Sequence, residues 1–87
     1  MSKLFRLSIS TAEKAVFDAD VLSVSVPGAS GFIGILADHA PLVSTLTPGP
    51  ITLKDHTSTT QEIQVTSKGF LEVFENKVNI LLDAVGE

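Results

Sequence analysis

No cysteine occurs among the 87 residues, which excludes a disulfide framework, a thiolate metal site and a cysteine nucleophile. Positive charge is scarce as well. Six Lys and Arg against ten Asp and Glu leave a net charge of −4, the wrong sign for neutralising the phosphates of nucleic acid or anionic lipid, so neither partner is expected. Long apolar runs are also missing at the start, where Met1, Ser2 and Lys3 lead straight into alternating residues. A signal peptide needs an apolar block of at least ~7 residues and a membrane span needs ~18; the expectation is a soluble chain with no membrane insertion and no export by that route. What the sequence does hold is enough to fold. Apolar residues make up 44% and charged residues only 18%, the reverse of the balance that keeps chains disordered. Since a domain usually takes about 100–200 residues, a single domain over residues 1–87 is expected. Domains of this size bury only about 60–65% of their unfolded surface, so support from a partner is in keeping with the length.

Ile, Val and Thr supply 23 of the 87 residues, and side chains branched at Cβ favour the pleated backbone. Period then locates the strands. In Leu4-Phe5-Arg6-Leu7-Ser8-Ile9-Ser10 the apolar residues fall on one face and the polar ones on the other. Leu22-Ser23-Val24-Ser25-Val26, Ile51-Thr52-Leu53-Lys54 and Glu62-Ile63-Gln64-Val65-Thr66 repeat the pattern. Phe70-Leu71-Glu72-Val73-Phe74 and Val78-Asn79-Ile80-Leu81-Leu82 flank Glu75-Asn76-Lys77, which predicts a hairpin. Residues 10–14 start like a helix but run into Ala15-Val16-Phe17 within a turn, so they read as a loop. Turn residues recur about every 8–12 positions, and the pattern predicts an all-β chain of about eight to ten short strands in two packed sheets, a flattened sandwich or barrel.

Chemistry finds little purchase. His39 and His56 have no second ligand at metal-site spacing, and no metal or other cofactor is expected. His56 reads as a solvated turn residue, whereas His39 lies in Asp38-His39-Ala40-Pro41, stiffened because Pro41 holds Ala40 out of the α region. No Gly-x-Ser-x-Gly elbow exposes a hydroxyl, and the carboxylates Asp18, Asp20, Glu72 and Glu75 are best read as solvated. Gly28, Gly31 and Gly34 do not form a phosphate loop, because neither Gly-x-Gly-x-x-Gly nor Gly-Lys-Ser/Thr is present. They suit a tight reversal and close backbone approach. The residues alone point to a small β domain that binds a protein rather than turning over a substrate.

Residues 24–43, Val-Ser-Val-Pro-Gly-Ala-Ser-Gly-Phe-Ile-Gly-Ile-Leu-Ala-Asp-His-Ala-Pro-Leu-Val, resemble the signature of the epsilon subunit of F-type proton-translocating ATP synthases (delta in mitochondria). The pattern Gly-x-x-Gly-x-Leu-x-x-His-x-Pro-Leu is read from Gly31 to Leu42, followed by Leu46, Pro48 and Gly49. Lys68-Gly69-Phe70-Leu71-Glu72-Val73 and the strand after it resemble the family's Gly-Gly-x-Leu-Glu-Val hairpin, and the similarity runs in order along nearly the whole chain. It implies a flattened sandwich of about ten strands and a non-catalytic role at the foot of the central rotor stalk, coupling proton translocation to ATP synthesis or hydrolysis. By the resemblance, Pro27, Gly28, Ala29, Ser30, Gly31, Phe32, Ile33 and Gly34 would face the ring of c subunits. Phe17, His39, Ala40, Pro41, Leu42, Ser44, Ile80 and Leu82 would face gamma. An apolar patch drawn from Phe17, Leu42, Ile80 or Leu82 is expected on that flank.

The same resemblance implies the cytoplasmic face of the bacterial plasma membrane, no nucleotide bound by this chain and no direct insertion in the bilayer. Three departures carry consequences. Phe32 stands where the family often has Glu, which implies a more apolar, less salt-sensitive ring contact; Lys68 replaces the first glycine of the Gly-Gly pair. The chain stops at Ala84-Val85-Gly86-Glu87, before the pair of helices through which many relatives inhibit hydrolysis, so coupling without helical inhibition is expected. The competing readings are a free-standing β-sandwich that binds another protein and, more remotely, a small enzyme built around His39, Asp38 and a serine.

Overall fold

The computed structural model describes residues 3–83; the chain end at 84–87, on which the expectation about the helical module rests, lies outside them. Among the described residues there are eight strands and no helix: β1 (Phe5–Thr11), β2 (Ala15–Gly28), β3 (Gly31–Leu36), β4 (Leu42–Leu46), β5 (Gly49–Asp55), β6 (Thr60–Val65), β7 (Gly69–Phe74) and β8 (Lys77–Leu82). The all-β expectation holds, with a count below the ten implied by the resemblance.

The two expected sheets are one continuous hydrogen-bonded sheet in the order β1-β8-β7-β4-β2-β5-β6, with β3 on β2 and a further β1–β2 pairing. The 14 residues of β2 are the reason. Its first half pairs with β1, from Ser10↔Ala15 to Phe5↔Val21; its second half pairs with β3 on one side and β5 on the other. The sheet therefore folds over along β2 into two layers, β1-β8-β7-β4 and β3-β2-β5-β6. Their inward side chains meet in one core, with Leu7, Ile9, Leu71 and Ile80 from the first layer and Val24, Ile35, Ile51 and Leu53 from the second.

A bulge marks the fold line. The β2–β5 register shifts between Val21 and Ser23, and an extra residue in one strand bends it and resets which face its neighbours occupy. Val21 and Val24 both point inward, fully buried, while Leu22 is only half-buried. Simple alternation, which placed Leu22 with Val24 and Val26, fails at that residue for this reason.

The expected β7–β8 hairpin is present, with a tighter turn than the sequence suggested. Phe74 pairs with Lys77, so Lys77 belongs to β8 and only Glu75 and Asn76 make the turn. Both have positive φ, 49° and 62°, as a type I′ hairpin turn requires. β1 runs parallel to β8, from Arg6↔Lys77 to Thr11↔Leu82, which joins the two ends of the described chain. The loop expected at residues 10–14 is shorter, residues 12–14, because Ser10 and Thr11 belong to β1; Thr11 Oγ1 accepts from the backbone N–H groups of Glu13 and Lys14.

Gly69 packs where no side chain fits. A Cβ there would lie 2.6 Å from Leu82 Cδ2 and 2.7 Å from the Leu81 carbonyl oxygen, and the carbonyl cannot rotate away. Gly69→Ala is expected to destabilise by about 1–3 kcal/mol, the usual cost of overpacking, in a denaturant titration. At Gly34 an added Cβ meets nothing within 4 Å; Gly34→Ala should be neutral or stabilising by up to about 1 kcal/mol.

The β5–β6 turn is organised by Asp55. Its Oδ1 accepts from Thr57 N–H, Thr57 Oγ1 and Thr59 N–H at 2.9, 2.6 and 3.0 Å. The Thr57 hydroxyl, then the backbone donors, hold the carboxyl at about 2, below its ordinary 3.8. Because the folded value is the lower, this contribution to stability is present above pH ~4 and is lost as pH falls toward ~2. Asp55→Ala is expected to lower the melting temperature at neutral pH, and the gap from wild type should close over that acid window.

Candidate interaction surface

Once the core has taken the inward side chains, alternation leaves the others on the outer face of β4-β7-β8-β1. Val43, Phe70, Phe74 and Leu81 stand there, 74%, 60%, 56% and 51% exposed. Register sets them in rows. Thr45, Phe70, Leu81 and Ser10 are successive cross-strand neighbours, and Val43, Glu72, Asn79 and Ser8 form the next row. Phe70 and Leu81 thus stand directly opposite each other on adjacent strands. A shallow depression of about 170 Å³ lies among Phe70, Leu81, Ser8 and Ser10. A second groove of about 410 Å³, lined by Phe70, Gly69, Thr45, Thr47 and Ala29, runs from this face to the tip of the β2–β3 hairpin. Two exposed phenylalanines on one sheet face are of the residue type that protein contacts favour.

One edge of this face is held by Asn76. From the left-handed turn its Oδ1 accepts the Asp38 N–H at 2.8 Å, and its Nδ2 donates to the Leu4 carbonyl at 2.9 Å. The Asn76 carbonyl in turn accepts the Arg6 N–H. Asp38 also has positive φ, 62°, and its carboxylate pairs with Lys3 Nζ at 2.9 Å. The segment carrying His39, Ala40 and Pro41 is thereby fixed at its start by the β7–β8 turn and at its end by proline. His39 is half-buried, with Nδ1 2.7 Å from the Ala40 carbonyl oxygen that accepts from it. The depression beside Asp38, about 490 Å³, is lined by Lys3, Ser23, Lys54 and Ser58 and does not include His39; the gathering of His39, Asp38 and a serine that an enzyme would need is not formed there.

Comparison with known proteins identifies the architecture. The family model described as the ATP synthase delta/epsilon chain β-sandwich domain matches residues 4–87. The chain belongs to this family. It is 45% identical over 84 residues to the ATP synthase epsilon chain of Protochlamydia amoebophila, a match covering 94% of this chain and 55% of that one. This β-sandwich therefore spans about half the length of the curated relative. Among solved structures, a chain of the Euglena gracilis mitochondrial ATP synthase (OSCP/F1/c-ring) superposes with a TM-score of 0.88 at 19% identity, over 95% of this chain and 52% of that one. A chain of the Tetrahymena thermophila enzyme (central stalk/c-ring) gives 0.78 at 14% identity, over 99% and 68%. At those identities the likeness is one of fold.

The delta/epsilon-type sandwich distributes the sequence-predicted positions unevenly. Pro27 and Gly28 are buried, and Ile33 is half-buried. Residues 27–34 are not a loop but the end of the β2–β3 hairpin, turning at Ala29-Ser30, where Ala29, Ser30, Gly31, Phe32 and Gly34 are exposed. Ala40 and Pro41 are exposed, while Phe17 and Leu42 are half-buried and pack on the core. Ile80 and Leu82 are corrections. Both are core residues, 1% and 2% exposed, because β8 turns its even-numbered residues inward against β7 and β1; Leu81 between them faces out. Ser44 sits opposite the buried Leu71 and shares its inward side, so Val43 and Thr45 are the outward residues of β4. The sequence reading missed Val43, Phe70, Phe74 and Leu81. Leu42 and Leu46, apolar at the same parity, were the signal that fixed the phase of β4.

Asn76→Gly keeps the left-handed turn but removes both side-chain bonds. It is expected to cost about 1–3 kcal/mol, two hydrogen bonds at the usual net value, and to raise amide exchange at Asp38 before any global unfolding, as hydrogen-exchange NMR would show.

Proposed function

We propose that this sandwich is the rotor domain of a non-catalytic epsilon-type subunit in the central stalk of an F-type ATP synthase, wedged between gamma and the c ring. It couples proton translocation to ATP synthesis or hydrolysis. Membership of the delta/epsilon family over residues 4–87 carries this reading, and it disfavours the free-standing binding module. The outer face of β4-β7-β8-β1, with the adjoining His39, Ala40 and Pro41, takes gamma; the tip at Ala29, Ser30, Gly31 and Phe32 takes the ring.

The physical demand on such a part is grip without slip. Full burial of a large apolar side chain is worth about 1.5–3 kcal/mol, so covering the exposed half of Val43, Phe70, Phe74 and Leu81 supplies on the order of 1 kcal/mol each. Ser8, Ser10, Glu72 and Asn79 around them offer hydrogen bonds that fix orientation. The β-sandwich, with one core and segments tied by Asn76, enters the contact already ordered, so little conformational entropy is lost on binding. At the ring, Phe32 makes the contact apolar. The assembled subunit is peripheral, on the cytoplasmic face of the bacterial plasma membrane, and binds no nucleotide.

The decisive experiment adds this chain to an ATP synthase depleted of its epsilon subunit and measures proton pumping driven by ATP hydrolysis. Pumping should recover with wild type and fail with Phe70→Glu combined with Leu81→Glu, although the variant melts like wild type. No recovery and no binding to gamma by the wild-type chain would refute the proposal.

A further inference from the structure

The strand β3 is bonded on one side only. Among the described residues it pairs with β2 and with no other strand, and its six residues, Gly31-Phe32-Ile33-Gly34-Ile35-Leu36, carry no charge and no proline. Sheet edges in monomeric proteins are normally guarded by a charge, a proline or a covering segment, because a bare edge is a template for another strand. β6, the edge at the far end of the same layer, carries Glu62 among the polar residues Thr60, Gln61 and Gln64. Among the described residues β3 has no such guard.

The geometry at that edge can be worked out from the turn. Gly28 pairs with Gly31 across the two residues Ala29 and Ser30, a spacing that allows only the mutually hydrogen-bonded kind of pair. Bonded and non-bonded pairs alternate along an antiparallel ladder, so Ile33 and Ile35 bond to β2 while Phe32, Gly34 and Leu36 aim their N–H and C=O groups away from it. These free groups are spaced symmetrically about Gly34. A second β3, antiparallel and centred there, sets Gly34 against its copy and Phe32 against the copy's Leu36, and every free donor meets a free acceptor. The same register places Phe32 and Leu36, 64% and 66% exposed, beside one another on the outer face. The two Gly34 residues leave room between the large side chains, since nothing lies within 4 Å of where a Cβ would stand.

We propose that the unassembled chain pairs with a second copy of itself through the free edge of β3, in an antiparallel register centred on Gly34. The interface is isologous and closes as a dimer, extending β6-β5-β2-β3 into an eight-stranded sheet across the two-fold axis. Pairing β3 with β6 of the next molecule would instead propagate without closing and set Phe32 or Leu36 near Glu62. The inference does not rest on the gamma and ring contacts. Pairing sets Phe32 beside the copy's Leu36, so dimer formation competes with the ring contact proposed above for the same side chain.

The test is sedimentation equilibrium of the purified chain over a concentration series, with hydrogen exchange read by NMR. The mass should rise from 9.2 kDa toward twice that value, and the amides of Phe32, Gly34 and Leu36 should become protected with it. Gly34→Pro removes one edge donor without touching the β2 ladder, and Leu36→Lys adds an edge charge; each should hold the chain at the monomer mass, with Ile33 and Ile35 amides still protected. A wild-type chain that stays monomeric to millimolar concentration overturns the proposal. So does a dimer that survives Leu36→Lys, or one abolished by Leu81→Lys instead.

Discussion

The whole architecture depends on one strand serving two layers. β2 pairs with β1 along its first half and with β3 and β5 along its second, and it meets β4 at Gly28↔Leu46. A straight strand of 14 residues could not do this. The bulge between Val21 and Ser23 supplies the bend, and Val21 and Val24, buried on either side of it, tie the bend to the core. Each layer buries its inward face only against the other, so the domain stands or fails as a unit.

From that bend follows the separation of inside from outside. Each strand offers two faces, and the core has room for one. In Asn79-Ile80-Leu81-Leu82 the sequence offers apolar residues at both parities, so composition does not say which one meets the core. The cross-strand pairs do. Ile80 sits opposite the buried Leu71 and Leu82 opposite Gly69, which leaves Leu81 for the surface. The same reasoning exchanges Ser44 for Val43 in β4. The outward-facing residues were legible as segments and not as side chains, because a shift of one residue moves a side chain through the sheet.

Polar groups complete the work that burial begins. Asn76 occupies a backbone conformation that asparagine tolerates better than most residues, and from it one amide bonds to segments 38 residues and 72 residues away in sequence. Asp55 does the same locally for the β5–β6 turn. These ties involve exposed or half-exposed groups, and they order loops the core does not reach.

The sequence by itself determined the class of the fold, six stretches of alternation that became β1, the later half of β2, β5, β6, β7 and β8, and the family signature from Gly31 to Leu42. Those features are local: side-chain branching, period and turn chemistry act within a few residues, and a motif is read along the chain. Tertiary structure alone decided the fold-over at Val21, the parallel closure of β1 on β8, the choice of Leu81 over its neighbours and the bare edge of β3. Each of these is settled by which strand lies beside which, and that is a matter of packing between residues far apart in sequence.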